Sequence, residues 1–376
     1  MAIGNGSRMR SGKKPLWENL TDEEVLSIVV NLVVRGTKLS GVVAHMRDYY
    51  GERNFKQSHP YLYLRRAAER GMLAFSLANG RDHVIEQKIR ESCPGLKTVE
   101  VVNSVVPTDI ADRAARRIIE WAQQRGDAGQ AALRVGLMGG GTIMAVCRAL
   151  APALAGLAED EKQRLPALTF QALAVGDNVR EPLEDPASFF TYFADPWLNP
   201  LRRDYIAVHA PVFRAPGQHD GEDREFEQLR AEARSCDIVL VSAGVLDDRH
   251  SFLGRLQSTA PDIWQRLRDA NCKGDLGRLP VSLDGPMSLS LFEKAPCTLI
   301  GLDDLSAMVQ ENRRVMVIAA PCGDCRAHKA EIIQTLLEVR DKGFTLFSDL
   351  VCDSHTGRRM SLLTRGRLRS GGTIGR

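Results

Sequence analysis

Four groups of residues in this 376-residue chain have types and spacings that can do chemistry. The first is Gly139, Gly140, Gly141 and Thr142, in the stretch RVGLMGGGTIMAV. Three glycines after an apolar run let backbone N–H groups face one point, and Thr142 adds a hydroxyl where a helix can begin. A helix N-terminus presents unpaired N–H groups and a positive dipole end, so this combination is a seat for an anion such as a phosphate. A dinucleotide fingerprint is excluded because Met144 stands where GxGxxG needs its third glycine, and no Lys-Ser/Thr follows to make a P-loop. A turn required only for close packing is the competing reading.

The second group is Cys322 and Cys325 in APCGDCRAHKAE, with His328 and His355 nearby in sequence. One CxxC beside histidines can bind zinc or cycle between thiol and disulfide, with Cys352 as a further thiol, but the second cysteine pair of a zinc ribbon is missing. Others of the eight cysteines, such as Cys147 and Cys236, sit in apolar runs and read as small core hydrophobes. No metal and no cofactor is therefore expected, and a zinc-linked or redox role for Cys322 and Cys325 is the alternative. The third group is acidic. Asp275 in KGDLGRLPVSLDG reads by its spacing as a turn residue beside Gly274 and Gly277, and Asp247 and Asp248 in LDDRHS are expected to cap a helix.

The fourth group is basic. Residues 8–80 hold 12 Lys and Arg against 7 Asp and Glu. Within them LTDEEVLSIVVNLVVRG predicts a helix capped by Thr21, KLSGVVAHMRDYYG a second from Ser40 to Tyr50, and SHPYLYLRRAAERG a third with Ser58 as cap and Pro60 in its first turn. MLAFSLANGRDHV then predicts a strand and an Asn79-Gly80 turn. Three helices followed by a strand and turn suit a winged helix-turn-helix, and basic side chains are what phosphate oxygens of DNA require. Lys56, Ser58, Tyr61, Arg65, Arg66 and Arg70 are the candidate DNA contacts. A helical dimerisation module with a solvated basic face is the competing reading.

The elements that must position the other three groups follow residue 80. VIEQKIRES predicts a helix, TVEVVNS a strand, and residues 109–125 a long amphipathic helix. The strands LRVGLMG, LTFQALAV, YIAVHAPV, DIVLVSAGV, CTLIGL, RVMVIAA and FTLFSDL then alternate with helical stretches, the pattern of a parallel sheet covered on both faces. The fold class expected is thus α/β, a winged helix-turn-helix followed by a larger, mostly parallel-sheet domain. The domains read as a disordered basic arm over 1–18, a helix-turn-helix over 19–80 and an α/β effector domain over 81–376. Net charge is only +3, apolar residues make up 44%, and no apolar run approaches the ~20 residues that span a bilayer. The N-terminus lacks an apolar signal core, so a cytoplasmic protein without membrane contact is expected.

In this order the motifs resemble the SorC/DeoR-type sugar-binding transcriptional regulators, whose effector domain is similar to the fold of sugar-phosphate isomerases and deaminases. VGLMGGGTIMAVCRAL is similar to that family's phosphate loop, KGDLGRLPVSLDG to a segment that makes Asp275 the sugar-facing acid, and VMVIAAPCGDCRAHKAEIIQTLL to one that makes Lys329 the phosphate-pairing cation. Two departures stand out. The loop before Lys329 is rebuilt around the CxxC, with Arg326 as a second cation, and the family's strand-end arginine is matched only by a shifted Arg180 in ALAVGDNVREPL, where Asp177 and Asn178 are further contacts. The resemblance implies a DNA-binding regulator that is not an enzyme, recognises a double-stranded operator, binds a phosphorylated sugar or related anion, and forms a homodimer or homotetramer. An isomerase using Asp275 and His328 as acid and base is the enzymatic alternative.

Overall fold

The computed structural model describes residues 21–34, 37–51, 55–70, 80–175, 184–194, 198–208, 213–214, 224–288 and 295–370. The chain divides into two compact units, Met1–Ala78 and Asn79–Arg376. The first holds α1 (Asp22–Val34), α2 (Leu39–Asp48) and α3 (His59–Glu69), in helix-turn-helix order. Thr21 starts α1 with a reciprocal cap: its hydroxyl accepts from the Glu24 N–H at 3.2 Å, and the Glu24 carboxylate accepts from the Thr21 N–H at 2.7 Å. The apolar stripe of α1 then packs on Val42, Val43 and Met46 of α2 and Leu64 of α3, with Phe55 closing the core. Ser58 precedes α3 but caps no N–H with its side chain, and Pro60 instead fills the first turn. The expected arm over 1–18 and the strand of the wing, at 71–79, lie outside the described residues.

The second unit opens with α4 (His83–Ser92), β1 (Thr98–Val102), α5 (Pro107–Asp127), β2 (Ala132–Leu137), α6 (Gly141–Ala155), α7 (Glu159–Arg164) and β3 (Ala167–Ala172). After a 3-10 helix, Pro186–Phe193, come β4 (Arg203–Ile206), β5 (Phe213–Arg214), α8 (Arg224–Arg234), β6 (Ile238–Val245), α9 (Phe252–Thr259) and α10 (Pro261–Asp269). The chain continues through β7 (Cys272–Leu276), β8 (Leu279–Ser282), β9 (Gly285–Pro286), β10 (Ala295–Pro296) and α11 (Leu302–Gln310). It closes with β11 (Arg314–Ala319), α12 (Ala330–Asp341), β12 (Asp349–Asp353) and α13 (Ser354–Ser370).

The main sheet runs β1-β12-β11-β6-β2-β3-β4, every pairing parallel. Alternate residues of β6 and β11 enter opposite cores: Val239, Val241, Val315 and Val317 one, Ile238, Leu240, Met316 and Ile318 the other. Such continuous apolar strands are what a sheet covered by helices on both faces demands. Chain order moves outward through β2, β3 and β4 on one side and through β6, β11 and β12 on the other. The boundary between β2 and β6 is therefore the topological switch point, where strand C-termini diverge and leave a crevice.

Three segments differ from the sequence reading. CTLIGL is no sheet strand: Thr298 makes one isolated bridge to Ala174, and buried Leu299 and Ile300 plug the core beyond the end of β3. The strand expected over FTLFSDL begins only at Asp349, because Leu346 and Phe347 turn into the core first. KGDLGRLPVSLDG forms an antiparallel arm, β7 pairing with β6 and β8, and β9 with β8. Its hairpin turn is Gly277 and Arg278, with φ of 58° and 74°, the double left-handed geometry that matches strand twist.

Candidate functional site

A crevice of about 390 Å³ opens at the switch point, between the C-terminal ends of β2, β6 and β11 and the tip of the antiparallel arm. Gly139, Gly140, Gly141 and Thr142 form one wall. Gly140 precedes α6 with φ 105° and ψ 158°, a conformation in effect reserved for glycine. Its N–H donates to the Glu184 carbonyl at 3.1 Å. At Gly139 the need is different, since an added Cβ would lie 2.4 Å from the Arg278 guanidinium. The first turn of α6 thus faces the crevice with a cation pressed against its glycine loop.

Arg278 occupies that place because of the hairpin that carries it. Its guanidinium is buried, donates to the Val175 carbonyl, and lies 5.8 Å over the Phe252 ring. Its N–H donates to Asp275 Oδ1 at 2.9 Å. Asp275 Oδ2 is buried without a hydrogen-bond partner among the described residues, although the side chain lines the crevice. Burial raises this carboxyl above its ordinary value, against the pull of the Arg278 N–H and the Lys329 and Arg278 charges. A buried carboxylate with one oxygen unspent is suited to a ligand hydroxyl, which would relieve a desolvation cost of about 1–3 kcal/mol.

Lys329, at the start of α12, is buried at the lining of the crevice and donates to Asp248 Oδ2 at 2.8 Å. Burial pushes the Asp248 carboxyl up, but Lys329 and the His250 N–H more than reverse this and hold it below its ordinary value. Asp248 is therefore an ion-pair partner. The expected capping role falls to Ser251, one residue before α9, whose hydroxyl accepts from the Gly254 N–H at 3.0 Å. Asp247 is exposed.

The other expected contacts are placed differently. Arg326 is exposed and does not line the crevice, because a left-handed φ of 60° turns the chain there. Asp177, Asn178 and Arg180 lie outside the described residues. His328 is not brought to Asp275: its ring stacks on His355 at 3.9 Å, its Nδ1 is 3.6 Å from Asp353, and it is not a lining residue. Burial, more than the opposing Asp353 charge, lowers the His328 pKa. Cys352 is buried within β12, where desolvation raises its thiol pKa. Cys322 lines the crevice, and Cys325 stands exposed beside it.

Sequence reasoning missed Arg278, Glu184 and Arg255, all lining the crevice. Arg278 had a signal in LGRL, two residues between apolar positions that can pair as a hairpin. Glu184 and Arg255, 3.7 Å apart, had none, since nothing local marks REPLEDP or SFLGRLQS as facing the glycine loop.

In the first unit, Tyr61, Leu62 and Arg65 share an exposed face of α3, with Lys56 and Ser58 exposed just before it. Arg65 pairs with Glu69 at 2.8 Å on that same face. Arg66 and Arg70 turn back to the acidic first turn of α1, reaching Asp22 at 2.9 Å and Glu23 at 3.4 Å. They tie α3 to α1, whereas Arg65 and Tyr61 face outward.

The fold so assembled has counterparts among solved structures. The full-length sorbitol operon regulator SorC from Klebsiella pneumoniae superposes with a TM-score of 0.62 at 15% identity, over 91% of this chain and 100% of that one. A protein designated a sor operon regulator, from Shigella flexneri, gives 0.55 at 16% identity over 74% of this chain and 99% of its own. A transcriptional regulator from Streptococcus pneumoniae gives 0.54 at 15% identity over 76% and 97%. No protein-family model and no curated protein matches the sequence. The fold defined is the SorC-like architecture: a three-helix unit and a mixed α/β unit with a large, mostly parallel sheet. Among the described residues no helix is long and apolar enough to cross a membrane.

Proposed function

We propose that this protein is a DNA-binding transcriptional regulator whose second unit binds a phosphorylated sugar or similar small anion, and that binding changes its affinity for DNA. The observation that carries this reading is the crevice at the switch point. It sets the first turn of α6 and the Arg278 guanidinium beside one another, with the unspent oxygen of Asp275 in the same wall. The glycine loop and Arg278 hold a phosphate, Lys329 adds positive charge, and Asp275 accepts from a sugar hydroxyl. A ligand shifts the DNA-bound population only through unequal affinity for the competent and incompetent states. The likeness to full-length SorC across both units supports pairing such a pocket with a DNA reader, and operators read by symmetric proteins favour a homodimer or homotetramer. The isomerase alternative loses its support, because the Asp275 and His328 proposed as acid and base do not share the crevice.

The test is fluorescence anisotropy with a duplex from upstream of the protein's own gene, against a scrambled duplex, at two salt concentrations. Specific binding that falls with salt is expected. Arg65→Ala, whose side chain supports no other helix, should weaken it and reduce the salt slope by about one phosphate contact. Sugar phosphates added to the complex should change the signal at concentrations where the unphosphorylated sugars do not. A wild-type protein that fails to discriminate the duplexes, with and without sugar phosphates, would overturn the reading.

A further inference from the structure

We propose that Asp248, His250, Cys322 and Cys325 bind a divalent metal ion of the zinc class at the wall of the crevice. One ligand atom from each lies within 4.8 Å of all the others. Three of the edges are specific: Cys322 Sγ to His250 Nδ1 is 3.5 Å, Cys325 Sγ to Asp248 Oδ1 is 3.3 Å, and His250 Nδ1 to Asp248 Oδ1 is 3.7 Å. Zinc bonds of ~2.3 Å to sulfur and ~2.0–2.2 Å to nitrogen and oxygen, set tetrahedrally, require edges of about 3.3–3.8 Å. These three edges are of that size, and no other pair of the four atoms is more than 4.8 Å apart.

The donor set also selects the ion. Two thiolates with an imidazole and a carboxylate suit zinc and its softer neighbours, whereas magnesium and calcium take oxygen. The supports of a built site are present. Asp248 presents Oδ1 to the cluster while Lys329 fixes Oδ2 at 2.8 Å, and the His250 N–H holds Oδ1 at 3.0 Å. The CxxC loop is closed on itself, the Cys322 N–H donating to the Ala327 carbonyl at 3.0 Å and the Arg326 N–H to the Cys322 carbonyl at 3.1 Å. The left-handed Arg326 is the conformational cost of bringing both sulfurs to one side. A CxxC serving only as a disulfide needs neither Asp248 nor His250 beside it. The site rests on these contacts alone and stands whether or not the protein reads DNA.

The full chain, reduced, stripped with a chelator and dialysed, should be titrated with Co²⁺ alone and followed by absorption. One equivalent should produce thiolate-to-cobalt charge transfer and the ligand-field bands of a tetrahedral ion, both abolished by one equivalent of Zn²⁺. Cys325→Ser, which alters an exposed side chain, and His250→Ala should each weaken binding about tenfold or more, with the metal-free melting temperature checked for folding. His328→Ala, the ligand that sequence proximity alone would choose, should leave the spectrum unchanged. Absence of the charge-transfer band at one equivalent would overturn the proposal, as would a band of unchanged intensity and affinity in Cys325→Ser. Oxidation of Cys322 and Cys325 to a disulfide, with no metal uptake by the reduced protein, would overturn it in favour of thiol redox chemistry.

Discussion

Arg278 holds a left-handed backbone at φ 74° in the second place of a two-residue hairpin turn, where glycine or asparagine is usual. A non-glycine there costs stability, and the gain is a guanidinium laid against the glycine loop. Replacing it should therefore be felt in ligand binding. Arg278→Ala should weaken binding of a phosphorylated sugar by about tenfold or more, the value of a charged hydrogen bond at ~1.5–3 kcal/mol, as measured by calorimetry. If binding is unchanged, Arg278 serves only the fold through its bond to Val175. The same scale separates Asp247 from Asp248: adjacent residues of one type, one exposed and one buried against Lys329. The contacts of Asp248 with Lys329, Cys325 and the His250 N–H distinguish them.

At the scale of elements, the start of α6 depends on one backbone conformation. Gly140→Ala meets no nearer atom than Ser242 Oγ, at 3.7 Å, so crowding is not the obstacle. Its φ of 105° is, and the substitution should cost of order 1–3 kcal/mol in urea unfolding and disturb the N–H groups of the first turn. A change within experimental error would show that the loop relaxes freely. In the first unit, the arginines of α3 divide between two tasks. Arg66→Ala removes an exposed pair with Asp22 and should lower the stability of the helical unit by no more than about 1 kcal/mol. Tyr61→Ala, on the outward face, should leave stability nearly unchanged and weaken DNA binding, with anisotropy and thermal melts read on both variants. Equal losses of DNA affinity in the two variants would erase the distinction.

At the scale of the whole molecule, the second unit carries a buried ionic network that makes its stability depend on pH. Glu86 is fully buried on α4, accepts two bonds from Arg81 at 2.7 Å, and accepts the Val101 N–H at 3.0 Å. Burial pushes its carboxyl up, but Arg81 and the Val101 N–H outweigh burial and leave it below the ordinary carboxylate value. A depressed folded pKa stabilises the protein at pH above the unfolded value of ~4.3, and that contribution is lost as pH falls through the lower folded value. Urea midpoints should therefore drop from about pH 5 downward, and Glu86→Gln should flatten part of that drop while lowering stability near neutrality. An unaltered acid limb in Glu86→Gln would assign the loss to other carboxylates.

What the sequence determined by itself were features encoded by neighbours along the chain. A period of 3.6 marked the three helices before residue 80, and short continuous apolar runs marked most strands of the parallel sheet, because a helix buries one face and a strand covered on both sides buries two. GGGT was legible as a strand-to-helix turn because glycine conformations and helix starts are local matters. Tertiary structure decided what depends on distant segments. CTLIGL is as apolar as a strand but meets only the residues just past the end of β3, so it becomes a plug. The antiparallel arm exists because β7 finds the free edge of β6 beyond its parallel partners, and that arm delivers Arg278 and Asp275 to the crevice. His250 and Cys322, 72 positions apart, meet only because β6 and β11 are adjacent parallel strands whose C-terminal loops leave on the same side. Neighbours in space across a parallel sheet are separated by whole crossover helices in sequence, and no local pattern records which loops those crossovers bring together.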